Sequence, residues 1–260
     1  MPDTIQGSIY DFPKYYDLLF GSDWKAEYEF LLSCFPKHSD REVKRVFEPA
    51  CGTGRLLVKL AKSGFEVAGN DLNEKAVAFC NDRFRLHKCP QTAVVQDMTD
   101  FKVGKKFDAA FNLINTFRHL PTEAAAVAHL KCMADAIYKG GLYVLGLHLL
   151  PTKGKRMKEE SWSARRGNLG ITSHMVSKKL DQAKRMEHLE VTLDIYTPSK
   201  HERIVDHMDY RTYTRQQFES LLKKVPAFRV EATYDFCYDI DAPHEVTERS
   251  EDVVFVLKRA

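Results

Sequence analysis

The sequence has no hydrophobic run that could cross a bilayer. Its longest apolar stretch, 142–150, is broken by Gly146 and His148 and falls well short of the roughly 20 apolar residues a membrane helix needs. It also lacks an excess of charge, with 39 Lys and Arg against 36 Asp and Glu. That balance gives no general pull toward nucleic acid or an anionic membrane. The opening MPDTIQGSIYDF has neither a basic leader nor an apolar segment, which predicts a cytoplasmic protein. The six cysteines (Cys34, Cys51, Cys80, Cys89, Cys132 and Cys237) form no C-x-x-C pair and no Cys/His cluster. This argues against structural zinc and a disulfide framework and predicts reduced thiols with no metal. What remains is a 260-residue chain, 44% apolar and 29% charged, long enough for one α/β domain carrying an insertion.

Aromatic residues crowd the start: nine of the 29 lie in the first 35 positions. Trp24, Tyr28, Leu31, Leu32 and Phe35 recur at helical spacing behind Ser22-Asp23, so 1–40 reads as a capped, helical aromatic lid. From 41 to 150 short apolar runs (43–47, 65–70, 92–95, 107–111 and 142–149) alternate with helical patterns. Asn73 caps one helix, while Pro121 opens another that Gly140-Gly141 should stop. From 151 to 212 the texture turns antiparallel. There Leu189, Val191, Leu193 and Ile195 alternate with polar residues, and runs at 171–178 and 203–211 could pair with them. In 213–260, Thr214 and Gln217 form a capping box for a helix, and 228–234 and 253–257 read as closing strands. The expected fold is α/β: a Rossmann-like, doubly wound, mostly parallel seven-stranded sheet with an antiparallel β insertion after the fifth strand.

The chemistry concentrates in VFEPACGTGRLL, 46–57. A strand ends at Glu48, small residues recur at Ala50, Gly52 and Gly54, and a helix follows at once. Such a loop lets a ligand approach the backbone and aims helix N-terminal amides at it. Dinucleotides and S-adenosylmethionine both use this geometry. A dinucleotide fingerprint needs a third glycine where Leu57 stands. Glu48 would repel a pyrophosphate but attract an ammonium or sulfonium. Asp71 ends the second strand, where a carboxylate can bind ribose hydroxyls, and Asp97-Met98 follows the third, where it can meet adenine. Singly, these acids are ordinary surface, cap and turn residues. Three of them at successive strand ends behind one small-residue loop point to a nucleoside site.

These segments resemble the class I S-adenosylmethionine-dependent methyltransferases. VFEPACGTGRLL is similar to their first motif, VAGNDLNEKAV to the second-strand motif, VVQDMTDF to the adenine-side motif and FDAAFNLINTFRHL to the fourth-strand motif. The resemblance covers about 10–150 and is nearest to enzymes that methylate amines on sugars or amino acids. Ala50 departs from the usual glycine, and Glu48 replaces the commoner aspartate. The resemblance implies S-adenosylmethionine as cofactor. Glu48 would then serve the methionine amino group, with Ala50, Gly52 and Gly54 along its backbone. Asp71 and Leu72 would hold the ribose side, Asp97 and Met98 the adenine. Asn112 would face the sulfonium, and Tyr15 and Tyr16 would close over it.

Methyl transfer from a sulfonium requires alignment and exclusion of water. An amine acceptor needs no base during attack, whereas a hydroxyl usually does. His119, after the fourth strand, is the first candidate base, though a lone histidine is often structural; His148 is the second. The insertion should cap the acceptor, with Asn115, His148, Trp162, Arg165 and His174 as candidate contacts and Arg166 and Met175 beside them. Between 151 and 190, ten Lys and Arg face five Asp and Glu, which would suit an anionic acceptor. A small-molecule methyltransferase leads this reading, which admits a homodimer. Its alternatives are a nucleic-acid methyltransferase, which lacks its Asn/Asp-Pro-Pro-aromatic motif here, and an NAD(P)-binding oxidoreductase.

Overall fold

A computed structural model of the chain describes residues 2–260. Its first element carries no apolar signal. The exposed strand β1 (Asp3–Gln6) pairs in parallel with residues 202–205, far along the chain. A 3₁₀ turn at Ile9–Asp11 follows, then two helices, α1 (Pro13–Phe20) and α2 (Lys25–His38). The helix expected behind Ser22-Asp23 is α2, and a second helix, α1, precedes it in the aromatic segment. At Gly21 a side chain would collide with the Asp17 carbonyl at 2.3 Å, so the chain turns tightly there. Ser22 Oγ donates back to the Leu18 carbonyl at 2.5 Å, and Trp24 takes the N-cap position with no side-chain cap.

The core sheet runs through β2 (Arg45–Pro49), β3 (Glu66–Asp71), β4 (Ala93–Val95), β5 (Phe107–Asn112) and β6 (Ile137–His148), all parallel. Between them lie α3 (Leu57–Lys62), α4 (Glu74–Leu86) and α5 (Glu123–Ala136). Asn73 caps α4, its Oδ1 accepting from the Ala76 amide at 3.0 Å. Gly140 and Gly141 do not end α5, which stops at Ala136; they lie inside β6. Gly140 has φ +77°, and a Cβ on Gly141 would sit 2.3 Å from the Asp108 carbonyl. The pair thus lets β6 bulge against β5.

The insertion forms β7 (Glu159–Arg166), β8 (Leu169–Asp181), β9 (Met186–Tyr196) and β10 (His201–Arg211), an antiparallel meander. The run forming β7 had no strand signature. With β1 it makes a five-stranded sheet of order β1-β10-β9-β8-β7. The capping box opens α6 (Arg215–Leu222), and β11 (Phe228–Tyr234) and β12 (Asp252–Arg259) complete the core. The core order is β11-β12-β6-β5-β2-β3-β4, with β12 antiparallel to both neighbours.

Apolar packing covers both faces of this sheet, as a doubly wound fold requires. One face buries Leu130, Met133 and Phe218 from α5 and α6; the other buries Phe30, Leu31, Leu57 and Phe84 from α2, α3 and α4. A third cluster joins Ile9, Leu18 and Leu19 to Ile171, Leu189, Val191 and Leu193. The beginning of the chain is thereby fastened to the insertion, and α2 to the core. No helix among the described residues is long and apolar enough to cross a membrane.

Candidate active site

Between the carboxyl ends of the parallel strands and the inner face of the insertion lies a cavity of about 770 Å³, within the usual range for small-molecule sites. Its floor is the loop after β2. Ala50, Gly52 and Gly54 all have positive φ (+50°, +52° and +66°), but they serve different ends. Gly52 lines the cavity, and a Cβ built there meets no atom within 4 Å. At Gly54 a Cβ would sit 2.3 Å from Cys80 Sγ, so this glycine lets the loop pack on α4. Asp71 braces the loop, one oxygen accepting from the Gly52 amide and the other from the Asn73 amide, each at 2.8 Å. Burial raises its carboxyl, with those two amides opposing.

Beneath the floor, Glu48 and Asn112 end the adjacent strands β2 and β5. Asn112 Nδ2 donates to the Pro49 carbonyl at 2.7 Å. Its Oδ1 and the Oε2 of Glu48 are buried without a partner among the described residues. Burial drives the Glu48 carboxyl well above its ordinary range, with Arg55 only partly opposing. Arg55 itself is paired to the buried Glu27. Two unpartnered buried acceptors at the ends of adjacent strands are costly and suit a ligand that brings N–H donors.

The N-terminal segment is held by Asp17, whose carboxylate accepts from Arg83 at 2.6 Å while Arg83 also donates to the Thr53 carbonyl at 3.0 Å. This clamp sets Tyr16 over the cavity. Tyr15 lies outside the cavity lining and stacks on Phe12 instead. Tyr10, Tyr16, Phe20 and Trp162 form a continuous row with ring centroids 4.5–5.5 Å apart. Asp97 is also outside the lining and caps Thr99, at 2.7 Å to its amide. Met98, Leu72 and Gln96 line this end. Behind Met98, His129 reaches its carbonyl through Nδ1 at 2.9 Å and the Tyr143 hydroxyl through Nε2 at 2.8 Å. Burial pushes His129 down to about 4, so the ring is neutral, donates from Nδ1 and accepts at Nε2.

At the other end, His119 Nε2 lies 2.8 Å from the Tyr10 hydroxyl, with Tyr210 edge-on at 4.7 Å. Burial, then Arg118, pushes His119 down to about 4. Asn115 and His148 line the cavity and meet each other, the His148 amide donating to Asn115 Oδ1 at 2.6 Å. The alternation of β7 and β8 turns Glu160, Trp162 and Met175 toward the cavity and Arg165 and His174 away from it. Arg166 is also outside the lining. A buried ion network closes the roof: Glu187 accepts from Arg118 at 2.6 Å, from Ser177 at 2.5 Å and from Arg156. Sequence reading did not single out Tyr10, Gln96, Arg118, Glu160, Glu187, Tyr210 or Asp252. For Glu160 a signal existed, since it stands two residues from Trp162 on one strand face.

A core sheet of this order, with its small-residue loop and capped carboxyl edge, defines the class I methyltransferase fold. The Methyltransferase domain family matches residues 46–141. A Geobacillus sp. (strain WCH70) protein named as a methyltransferase is 24% identical over 250 residues, 95% of this chain and 98% of that one. The dTDP-3-amino-3,4,6-trideoxy-alpha-D-glucopyranose N,N-dimethyltransferase of Streptomyces venezuelae is 28% identical over 134 residues, 50% of this chain and 54% of its own length. The crystal structure of Streptomyces venezuelae DesVI superposes with a TM-score of 0.78 at 21% identity, covering 96% of this chain and 98% of that one. The methyltransferase domain at 46–141 and the methyltransferases among the relatives support an S-adenosylmethionine-dependent methyltransferase with S-adenosylmethionine as its cofactor.

Proposed function

We propose that the chain methylates a small amine bound beneath the insertion. The observation that carries this acceptor class is the charge of the cavity wall. Six acids line it (Asp23, Asp71, Glu159, Glu160, Glu187 and Asp252) against two bases, Arg118 and Lys158. Of the ten Lys and Arg between 151 and 190 only Lys158 is among the lining residues. The basic insertion, which suited an anionic acceptor on composition, thus turns nearly all its cations elsewhere. An acid-rich wall of low polarity favours a cation, and an amino-sugar methyltransferase among the relatives points the same way.

In this reading the unpartnered oxygens of Glu48 and Asn112 receive the amino group of the cofactor's methionine portion. The open backbone at Ala50 and Gly52 lies along it, while Gly54 acts through loop packing. Asp71 keeps lone pairs for ribose hydroxyls, since each oxygen accepts only one amide. Leu72 and Met98 flank the adenine, and Asp97 supports that turn through Thr99. Tyr16 offers its ring face to the sulfonium. The cofactor supplies a methyl carbon already joined to a good leaving group; the protein aligns the acceptor and keeps the cavity dry. His119, neutral and tied to Tyr10, orients the acceptor. The dispersed thiols support a cytoplasmic setting.

Titration calorimetry should show binding of S-adenosylhomocysteine and none of NAD. Methyl-labelled S-adenosylmethionine, incubated with a metabolite pool and read by product mass, should label amines. NAD binding with no response to S-adenosylhomocysteine, or label entering nucleic acid, would overturn the reading.

A further inference from the structure

His119 makes a poor proton acceptor, because burial and Arg118 disfavour its charged form and Tyr10 already occupies its Nε2. An amine acceptor nevertheless arrives largely as an ammonium ion at neutral pH, and it must lose a proton before its lone pair can attack. The second histidine of the cavity is built differently. His148 ends β6, and the antiparallel register of β12 sets Asp252 opposite it. Its Nδ1 lies 2.7 Å from Asp252 Oδ1. A carboxylate only accepts, so Nδ1 carries the hydrogen and the neutral ring keeps its lone pair on Nε2. Among the described residues Nε2 has no partner, and the ring lines the cavity. Glu160, on the inward face of β7, lines the same cavity, and its carboxyl also has no side-chain partner among the described residues. Burial raises the Glu160 carboxyl, and the charged groups around the pair are Asp252 and Glu251 beside β12, Arg118 after β5, and His148 itself.

We propose that Glu160 and the His148–Asp252 pair form the subsite for the acceptor amine, Glu160 receiving the ammonium and His148 Nε2 removing its proton. This rests on the amine reading above. The ammonium passes one proton to Nε2, and Asp252 balances the imidazolium. The N–C bond then forms as the C–S bond breaks, with the electron pair going to sulfur and the proton leaving from His148 to water. The product is a methylated ammonium, so charge is conserved.

The test uses the full chain, methyl-labelled S-adenosylmethionine, and amino sugars paired with their hydroxyl parents, both free and as nucleoside diphosphate esters. Wild type and the variants His148→Gln, Asp252→Asn and Glu160→Gln are compared from pH 6 to 10, with S-adenosylhomocysteine calorimetry to confirm folding and cofactor binding. His148→Gln should lose about 10²–10⁴-fold in kcat/KM near neutral pH, the usual contribution of a general base. The rate should recover as the pH nears the amine's own pKa. Glu160→Gln should raise KM about tenfold or more with kcat nearly kept, because it removes binding that is uniform along the reaction. Independently of turnover, imidazole ¹⁵N spectra should show His148 as the Nδ1–H tautomer, and Asp252→Asn should weaken that preference. An Nε2–H tautomer in wild type overturns the proposal. So does amine labelling in which His148→Gln keeps the wild-type pH profile and Glu160→Gln keeps KM; that result leaves the amine reading standing. Label entering only the hydroxyl compounds overturns both.

Discussion

Replacing Glu48 by glutamine tests the cofactor half of the site with little change of shape. In the ligand-free protein Glu48 is buried with Oε2 unpartnered, and its carboxyl is held well above the ordinary range by that burial. A folded-state pKa raised above the unfolded value means the folded protein binds the extra proton. Glu48 therefore adds stability that is fully present below the unfolded pKa and lost as pH rises through the folded one. Glu48→Gln should remove this loss, so that the ligand-free variant unfolds with less pH dependence above pH 4.5. Binding should respond in the opposite sense. With the amino group of S-adenosylhomocysteine paired to the ionised carboxylate, as proposed, binding should expel the proton. Calorimetry in two buffers of different ionisation enthalpy should detect that release near neutral pH in wild type, and little of it in Glu48→Gln. Loss of a hydrogen bond to a charged group costs about 1.5–3 kcal/mol, or about 10- to 150-fold in Kd. Binding within twofold of wild type, with the same proton release, would refute the placement of the amino group at Glu48.

Two further outcomes separate loop chemistry from packing. Gly52→Ala should cost about 1 kcal/mol in urea unfolding, for a residue held at φ +52°, and should weaken S-adenosylhomocysteine through a Cβ standing in the cavity. Gly54→Ala should cost more stability, about 2–4 kcal/mol, because its Cβ must displace Cys80 Sγ from 2.3 Å; the reverse order would refute the division of roles. Arg118→Met should lose about 1.5–3 kcal/mol by removing one charge-assisted hydrogen bond from the buried Glu187, which keeps Arg156 and Ser177. Burial alone would raise the Glu187 carboxyl, but Ser177 and then Arg118 outweigh it and lower it. Its stabilisation is therefore present above the unfolded pKa and lost as pH falls through the folded one. Parallel urea unfolding of Arg118→Met and wild type at pH 7 and at pH 4 and below should show a gap that narrows in acid; a constant gap would refute the charge argument.

The loop after β2 and the helix caps were legible because they are written in short-range patterns. A strand end, three small residues and a helix start in sequence produce the loop geometry whatever lies around them, and Asn73 and Thr214 cap helices through bonds three residues away. Even there, spacing could not tell Gly52, which faces the cavity, from Gly54, which faces α4. Nor could it show that Asp97 spends its carboxylate on its own turn. The glycine pair at 140–141 was misread because a helix stop and a strand bulge use the same residue for the same freedom of φ.

The insertion side of the cavity was legible only in part, Asn115, His148 and Trp162 lining it as expected, because its contacts are set by register between distant strands. His148 meets Asp252 only because β12 runs antiparallel to β6 in one particular alignment; a one-residue slip would turn Asp252 to the other face. The same holds above the cavity. β1 has no apolar pattern of its own, yet its pairing with β10 and the Ile9 amide's 2.8 Å bond to Asp206 fasten the N-terminal segment to the insertion. That attachment brings Tyr10 to His119 and Tyr16 to Phe20 and Trp162. The aromatic wall is thus assembled from two stretches of chain that share no local signal; α1, through Asp17 and Arg83, ties that wall to the loop after β2, and Asp11 ties it to Asn73.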